Sequence, residues 1–128
     1  MNISFIYCLT NPSMPGLCKI GATDRSPSQR CAELSAATAC PSDFEIAFYA
    51  EVDNAFLNER RMHLDLDCYR HRSNREFFTC SPGLAFHWIQ CNVDTHTSYV
   101  RESVYQDQAR LLERGELVIG AVDSQEDQ

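Results

Sequence analysis

Apolar and polar positions alternate most regularly between Phe44 and Val52. Phe44, Ile46, Phe48, Ala50 and Val52 fall on one side of a strand, and Glu45, Ala47, Tyr49 and Glu51 on the other. Residues 3–9 (Ile-Ser-Phe-Ile-Tyr-Cys-Leu) are rich in β-branched and aromatic side chains and predict a second strand. The turn-forming run Asn11-Pro12-Ser13-Met14-Pro15-Gly16 then leads into Leu17-Cys18-Lys19-Ile20-Gly21, the returning arm of a hairpin. Ser26-Pro27 opens a helix to about Ala37 that turns Cys31 and Leu34 inward. Asp53 is placed to cap a helix over 54–66 with Ala55, Phe56, Met62 and Leu66 as its apolar face. A polar loop, Tyr69 to Arg75, precedes a short strand at Glu76-Phe77-Phe78-Thr79 and a helix opened by Ser81-Pro82. Beyond Asn92 the spacing of Val100, Val104, Leu111 and Leu112 predicts a helix over 99–114, stopped by Gly115. Leu117-Val118-Ile119 suggests a last strand and 124–128 a tail.

Strands and helices thus share the chain, which makes the fold class α/β. Its 128 residues fit one domain of ordinary size, divided here into 1–92 and an acidic helical extension and tail, 93–128. No apolar run approaches the roughly 20 residues that span a bilayer, and Met1-Asn2-Ile3-Ser4-Phe5 lacks the pattern of a secretory signal. A cytoplasmic protein without membrane contact is expected. Seven cysteines at irregular spacing, without CxxC, are the mark of buried free thiols rather than a disulfide framework. The net charge of −7 argues against a broadly basic grip on nucleic acid. Residues 93–128 carry eight acids and three arginines, so most of that charge sits in the extension, a possible surface for a protein partner. The positive charges are ten arginines and a single lysine, Lys19.

Candidate chemistry lies in the order Phe5-Ile6-Tyr7, Lys19-Ile20-Gly21-Ala22-Thr23, Arg30, Glu59 and His63. Glu59 and His63 are four apart and share one helix face. Around them stand Tyr7-Cys8-Leu9-Thr10-Asn11-Pro12, Gly16-Leu17-Cys18-Lys19-Ile20-Gly21, Pro27-Ser28-Gln29-Arg30, Glu33-Leu34, Ala37-Thr38, Pro41 and Arg75-Glu76-Phe77-Phe78. This ordered set, over residues 3–90, resembles the GIY-YIG nuclease superfamily, in particular its small branch with Lys-Ile-Gly found in phage and stand-alone reading frames. The resemblance implies a three-stranded antiparallel sheet flanked by helices and metal-dependent cleavage of DNA phosphodiester bonds. Such cleavage needs a base for water, a cation for the phosphoryl charge and help at the leaving oxygen. Tyr7 offers a phenol that takes the proton of water, directly or by relay, and Arg30 a fork of donors for phosphoryl oxygens. Glu59 is a hard oxygen ligand for Mg²⁺ or Mn²⁺. His63 either orients the nucleophile's network or bridges helix and loop.

The sequence departs from the best-known members at Lys19, where they carry a second tyrosine. An ammonium there can orient the water or act as base. Arg70, Arg72 and Arg75 are the local candidates for contact with the DNA backbone. Glu76 is a candidate second carboxylate of the site, with a structural role in holding that loop as the favoured reading. Cys68, His71, Cys80, His87 and Cys91 are potential zinc ligands, but without a paired CxxC they form a weaker alternative. The function expected is a metal-dependent endonuclease of phage or mobile-element origin. The alternative is a catalytically silent module of the same fold that binds nucleic acid or a protein.

Overall fold

The computed structural model describes residues 3–37, 40–72 and 76–117. Strands β1 (Ser4–Thr10) and β2 (Cys18–Thr23) form the expected antiparallel hairpin, with Tyr7 opposite Gly21 and Leu9 opposite Lys19. Asn11 braces the turn: its side-chain oxygen accepts from the Ser13 amide at 2.9 Å, and its side-chain amide donates to the Ser42 carbonyl at 2.9 Å. Helix α1 (Pro27–Ala37) begins as predicted, with Ser26 Oγ accepting from the Gln29 amide at 3.4 Å.

Strand β3 (Glu45–Val52) pairs with the other side of β1, and there the even alternation fails. Cys8 faces Phe48 while Leu9 faces Ile46, so Ala47 is an extra residue in a β-bulge. The bulge reverses the phase of the strand. Phe44 and Ile46 pack on one side of the sheet with Tyr49, whereas Phe48, Ala50 and Val52 pack on the other. The shared face predicted from the sequence is therefore split between two cores.

Helix α2 (Ala55–Asp65) buries Ala55 and Met62, and Leu66 just beyond it. Phe56, expected in that face, is 48% exposed. Asp53 does not cap it; the cap position is Asn54 in the left-handed conformation without a side-chain bond, and Asp53 instead lies 3.1 Å from His96. After a 3₁₀ turn at Asp67–Tyr69, β4 (Phe77–Phe78) pairs with Lys19 and Cys18 of β2. Helix α3 (Pro82–Asn92) is capped by Ser81, as its sequence predicts.

The sheet has five strands, not three, in the order β4-β2-β1-β3-β5, all antiparallel. The fifth, β5 (Thr95–Val100), lies in the segment expected to be helical, and α4 (Glu102–Glu113) starts only after it. Both additions are hard to see in the sequence. β4 is two residues long, and β5 is a polar edge strand exposed on both faces, with no apolar alternation to betray it. Leu117 lies outside any element; the rest of the expected last strand and the tail fall outside the described residues.

The sheet carries helices on both faces. Cys31 and Leu34 of α1 cover Tyr7 and Leu9 on one face with Phe44 and Phe77. On the other, α2 and α3 cover Ile6, Ile20, Phe48 and Phe78, and Val104 of α4 joins that core. Among the described residues no helix is long and apolar enough to cross a membrane.

Candidate active site at the free edge of strand β2

Because β4 pairs only with Cys18 and Lys19, the outer edge of β2 is open from Ile20 onward. An unpaired backbone edge needs partners, and side groups supply them. The Ile20 amide donates to the Glu76 carbonyl at 3.3 Å, and the Ile20 carbonyl receives His63 Nε2 at 2.9 Å. A carbonyl only accepts, so Nε2 of His63 carries a proton. These two bonds fasten α2 and the residue before β4 to the same point of β2. In this way Glu59 and Glu76 reach a site whose other members lie on the far face of the sheet.

Those other members are Tyr7, Lys19 and Arg30. Tyr7 and Lys19 are diagonal neighbours on the α1 face, since Tyr7 pairs with Gly21, two residues beyond Lys19. Gly21 leaves the room that the phenol occupies: a Cβ there would lie 2.6 Å from Tyr7 Cζ. Arg30, one residue round from buried Cys31, pairs with Glu33 at 3.4 Å and lies close enough to Tyr7 for its charge to act on the phenol. The buried ammonium of Lys19 pairs with the Glu76 carboxylate and lies 5.6 Å from the centre of the Phe77 ring. Glu59 stands 3.6 Å from His63, with 22% of its side chain exposed.

Electrostatics ties the group together. Burial, first of all, raises the pKa of Tyr7; the hydrogen bond and charge of Arg30 pull it back, and the Glu76 and Glu59 carboxylates push it up again. Arg30 is in turn pushed above its usual value, chiefly by its bond to Tyr7. Glu76 is held below the usual carboxylate range by its bond to Lys19 and then by that ion's charge, with smaller help from His63 and Arg30. The site thus contains a phenol held to its proton by burial, a carboxylate, Glu76, that sheds its own the more readily, and a guanidinium, Arg30, held in its charged form.

Tyr7, Lys19, Arg30, Glu59 and His63 are brought together, and Glu76 joins them. Of its two expected roles the site carboxylate is the one seen: its backbone closes the β2 edge, and its carboxylate pairs with Lys19. Gly21 also had no role assigned from sequence, although a glycine inside a strand is a signal of close approach. The basic loop is different. Arg70 is largely buried, donates to the His63 carbonyl at 3.0 Å, pairs with Asp67 at 3.2 Å and lies 5.4 Å from the Phe78 ring centre. It is committed to holding α2 against β4 rather than presented to a ligand. Arg72 is exposed, and Arg75 lies outside the described residues.

No three His, Cys, Asp or Glu side chains are grouped as a metal cage among the described residues. A divalent cation held by Glu59 would keep most of its own waters, a mode that suits Mg²⁺ better than it suits Zn²⁺ or Ca²⁺. Of the soft ligands, Cys80 is buried beside Cys18, whose thiol donates to the Cys80 carbonyl at 3.4 Å, and Cys91 lies 3.5 Å from His87.

The family whose model matches this chain is a phage-associated domain of nuclease type. The T5orf172 domain matches residues 4–93, and the chain belongs to that family. Neither a curated protein nor a solved structure gives a significant match.

Proposed function

We propose that the protein is a metal-dependent endonuclease that hydrolyses DNA phosphodiester bonds, with its chemistry at the free edge of β2. The observation that carries this reading is the meeting of Tyr7, Arg30 and Lys19 from one face of the sheet with Glu59 and Glu76 from its edge. Family membership supports the nuclease class, and the resemblance to GIY-YIG enzymes suggests the division of labour.

In this reading Glu59 would hold Mg²⁺ or Mn²⁺, and the ion would supply charge neutralisation to the phosphodiester. Arg30 donates to a phosphoryl oxygen while also steadying Tyr7. Tyr7 first loses its phenolic proton to solvent, the uphill step, and as the phenolate takes the proton of the attacking water. Lys19, fixed by Glu76, orients that water. His63 is a positioning residue: its bond to the Ile20 carbonyl sets the height of α2, and with it Glu59, along the β2 edge. Arg72 is the described member of the basic loop left to meet the DNA backbone.

The test is nicking of supercoiled plasmid in Mg²⁺ or Mn²⁺. Glu59→Ala and Arg30→Ala are expected to lose orders of magnitude in rate, about 3–4 kcal/mol of barrier for one electrostatic partner, while circular dichroism stays unchanged. Lys19→Met, which keeps the length and removes the donors, is expected to lose nearly all cleavage. Equal nicking in chelator and in Mg²⁺ would remove the metal from the mechanism, and a parent protein that nicks nothing would leave the binding-module alternative.

A further inference from the structure

The β2 edge lies open between two helices, α1 covering one face of the sheet and α2 the other. Turning round α2 from buried Met62, Glu59, His63 and Arg60 follow in that order, about 60°, 100° and 160° away. Arg61 comes in the opposite sense, about 100° from Met62. Arg60 therefore stands just outside the Glu59–His63 pair. Arg61 stands toward α3, where it donates to Asn58 at 2.6 Å and lies 5.9 Å from the centre of the Trp88 ring.

Most arginines of this chain are already engaged. Arg25, Arg30, Arg70, Arg101, Arg110 and Arg114 each pair with an acid. Arg60 is exposed and, among the described residues, has no acid within ion-pair distance. Its neighbours three and four positions away are Phe56, Leu57, His63 and Leu64, none of them acidic. The acids of α2 are occupied elsewhere, Glu59 beside His63 at 3.6 Å and Asp65 by the Trp88 indole at 2.8 Å. In a chain of net charge −7, this guanidinium is left uncancelled.

We propose that Arg60 binds a backbone phosphate of the DNA next to the one that is cut. This rests on the nuclease reading above and gives that site a substrate contact outside its chemistry. A guanidinium fork matches two phosphate oxygens. The α1 side of the opening offers no equivalent. Glu33 holds Arg25 there through both terminal nitrogens, at 2.6 and 2.8 Å, and also accepts from Arg30 at 3.4 Å. A strand leaving the site past α2 meets an uncommitted cation one residue from Glu59. Such a contact fixes where the strand lies without reading its bases. The exposed Phe56, Leu57 and Leu64 nearby suit a protein surface as well. What favours the substrate is the single step from Arg60 to Glu59.

The experiment is fluorescence anisotropy of the full chain with a labelled DNA duplex of mixed sequence, over a salt series, in chelator so that nothing is cut. Arg60→Gln is expected to weaken the complex about tenfold. It is also expected to reduce the slope of log affinity against log salt by about one, the loss of one phosphate contact. Arg61→Gln removes the same charge from the next residue and is expected to leave both at the parent's values. In plasmid nicking Arg60→Gln is expected to raise KM and keep kcat, because a contact made equally in ground and transition states acts on binding alone. The inference is overturned if the parent does not bind the duplex, or if Arg61→Gln loses as much as Arg60→Gln. It is overturned too if Arg60→Gln keeps the parent's affinity and slope, as an α2 that docks a protein would. The nuclease reading fails separately. An Arg60-dependent slope without nicking defeats that reading and leaves the contact; nicking with an unchanged slope defeats the contact alone.

Discussion

Gly21 and Tyr7 occupy one space between them. The phenol lies where any Cβ on Gly21 would have to be, so the tyrosine's position depends on the lack of a side chain there. Gly21→Ala is expected to displace Tyr7 from Arg30 and to cost about 1–3 kcal/mol in stability, the usual penalty of overpacking. Urea unfolding measures the second effect and plasmid nicking the first; a variant that is both stable and active would show that the phenol's place is not required. The protonation of Tyr7 makes a separate prediction. Burial raises its pKa from 10.0, so at neutral pH fewer than roughly one molecule in a thousand carries the ionised form. If Tyr7 is the base, the rate rises about tenfold per pH unit through the neutral range, and Tyr7→Phe loses that rise. The sign of each neighbour follows. Arg30 favours the phenolate, so Arg30→Gln moves the rising limb to higher pH; Glu76 disfavours it, so Glu76→Gln moves the limb to lower pH. A limb that stays put in both variants would take the proton transfer away from Tyr7.

At the scale of elements, the hairpin, α1 and α3 are written plainly in the chain because local chemistry decides them. Two prolines and a glycine close the hairpin turn, and serine followed by proline opens each helix. β3 is less legible for a physical reason. Its period-2 pattern continues through Ala47, yet the pairing with β1 slips there, and alanine is small enough to serve either face. The site followed the same division. Its residue types and their order could be found along the sequence, including the glutamate and histidine four apart on α2. What could not be found was the way round the sheet: α2 packs on the face opposite Tyr7, and only the uncovered edge of β2 lets Glu59 and His63 approach it. Edge pairing by a side chain has no period and no turn signal. Nor could the sequence separate Arg70, spent on His63, Asp67 and Phe78, from arginines left to the solvent.

For the whole molecule, the placement of charge and of the last two elements belongs to one argument. The acidic segment enters the fold through β5, at the sheet edge opposite β2, three interstrand spacings or about 14 Å away. That exceeds the screening length of about 8 Å at physiological salt, so Asp94, just before β5, weighs little on a phosphate at the β2 edge. The same segment is built into the core. β5 covers the outer edge of β3, and Val104 and Leu111 of α4 are 2% and 6% exposed. Gly83 brings α3 and α4 close: its amide donates to Asp107 at 2.9 Å, and a Cβ there would lie 2.7 Å from the Gln108 nitrogen. The family match ends at residue 93, before β5 and α4. Two buried aliphatic side chains alone contribute about 3–6 kcal/mol, a large part of the 5–15 kcal/mol typical of a domain. A chain ended at Val93 is therefore expected to lose cooperative urea unfolding and to expose β3 as a sticky edge. Gly83→Val, which forces α3 from α4 while leaving β5 in place, is expected to lower the midpoint and keep the transition cooperative. A truncated chain that unfolds at the parent's midpoint would show instead that residues 94–128 are an appendage, and that the domain closes with four strands.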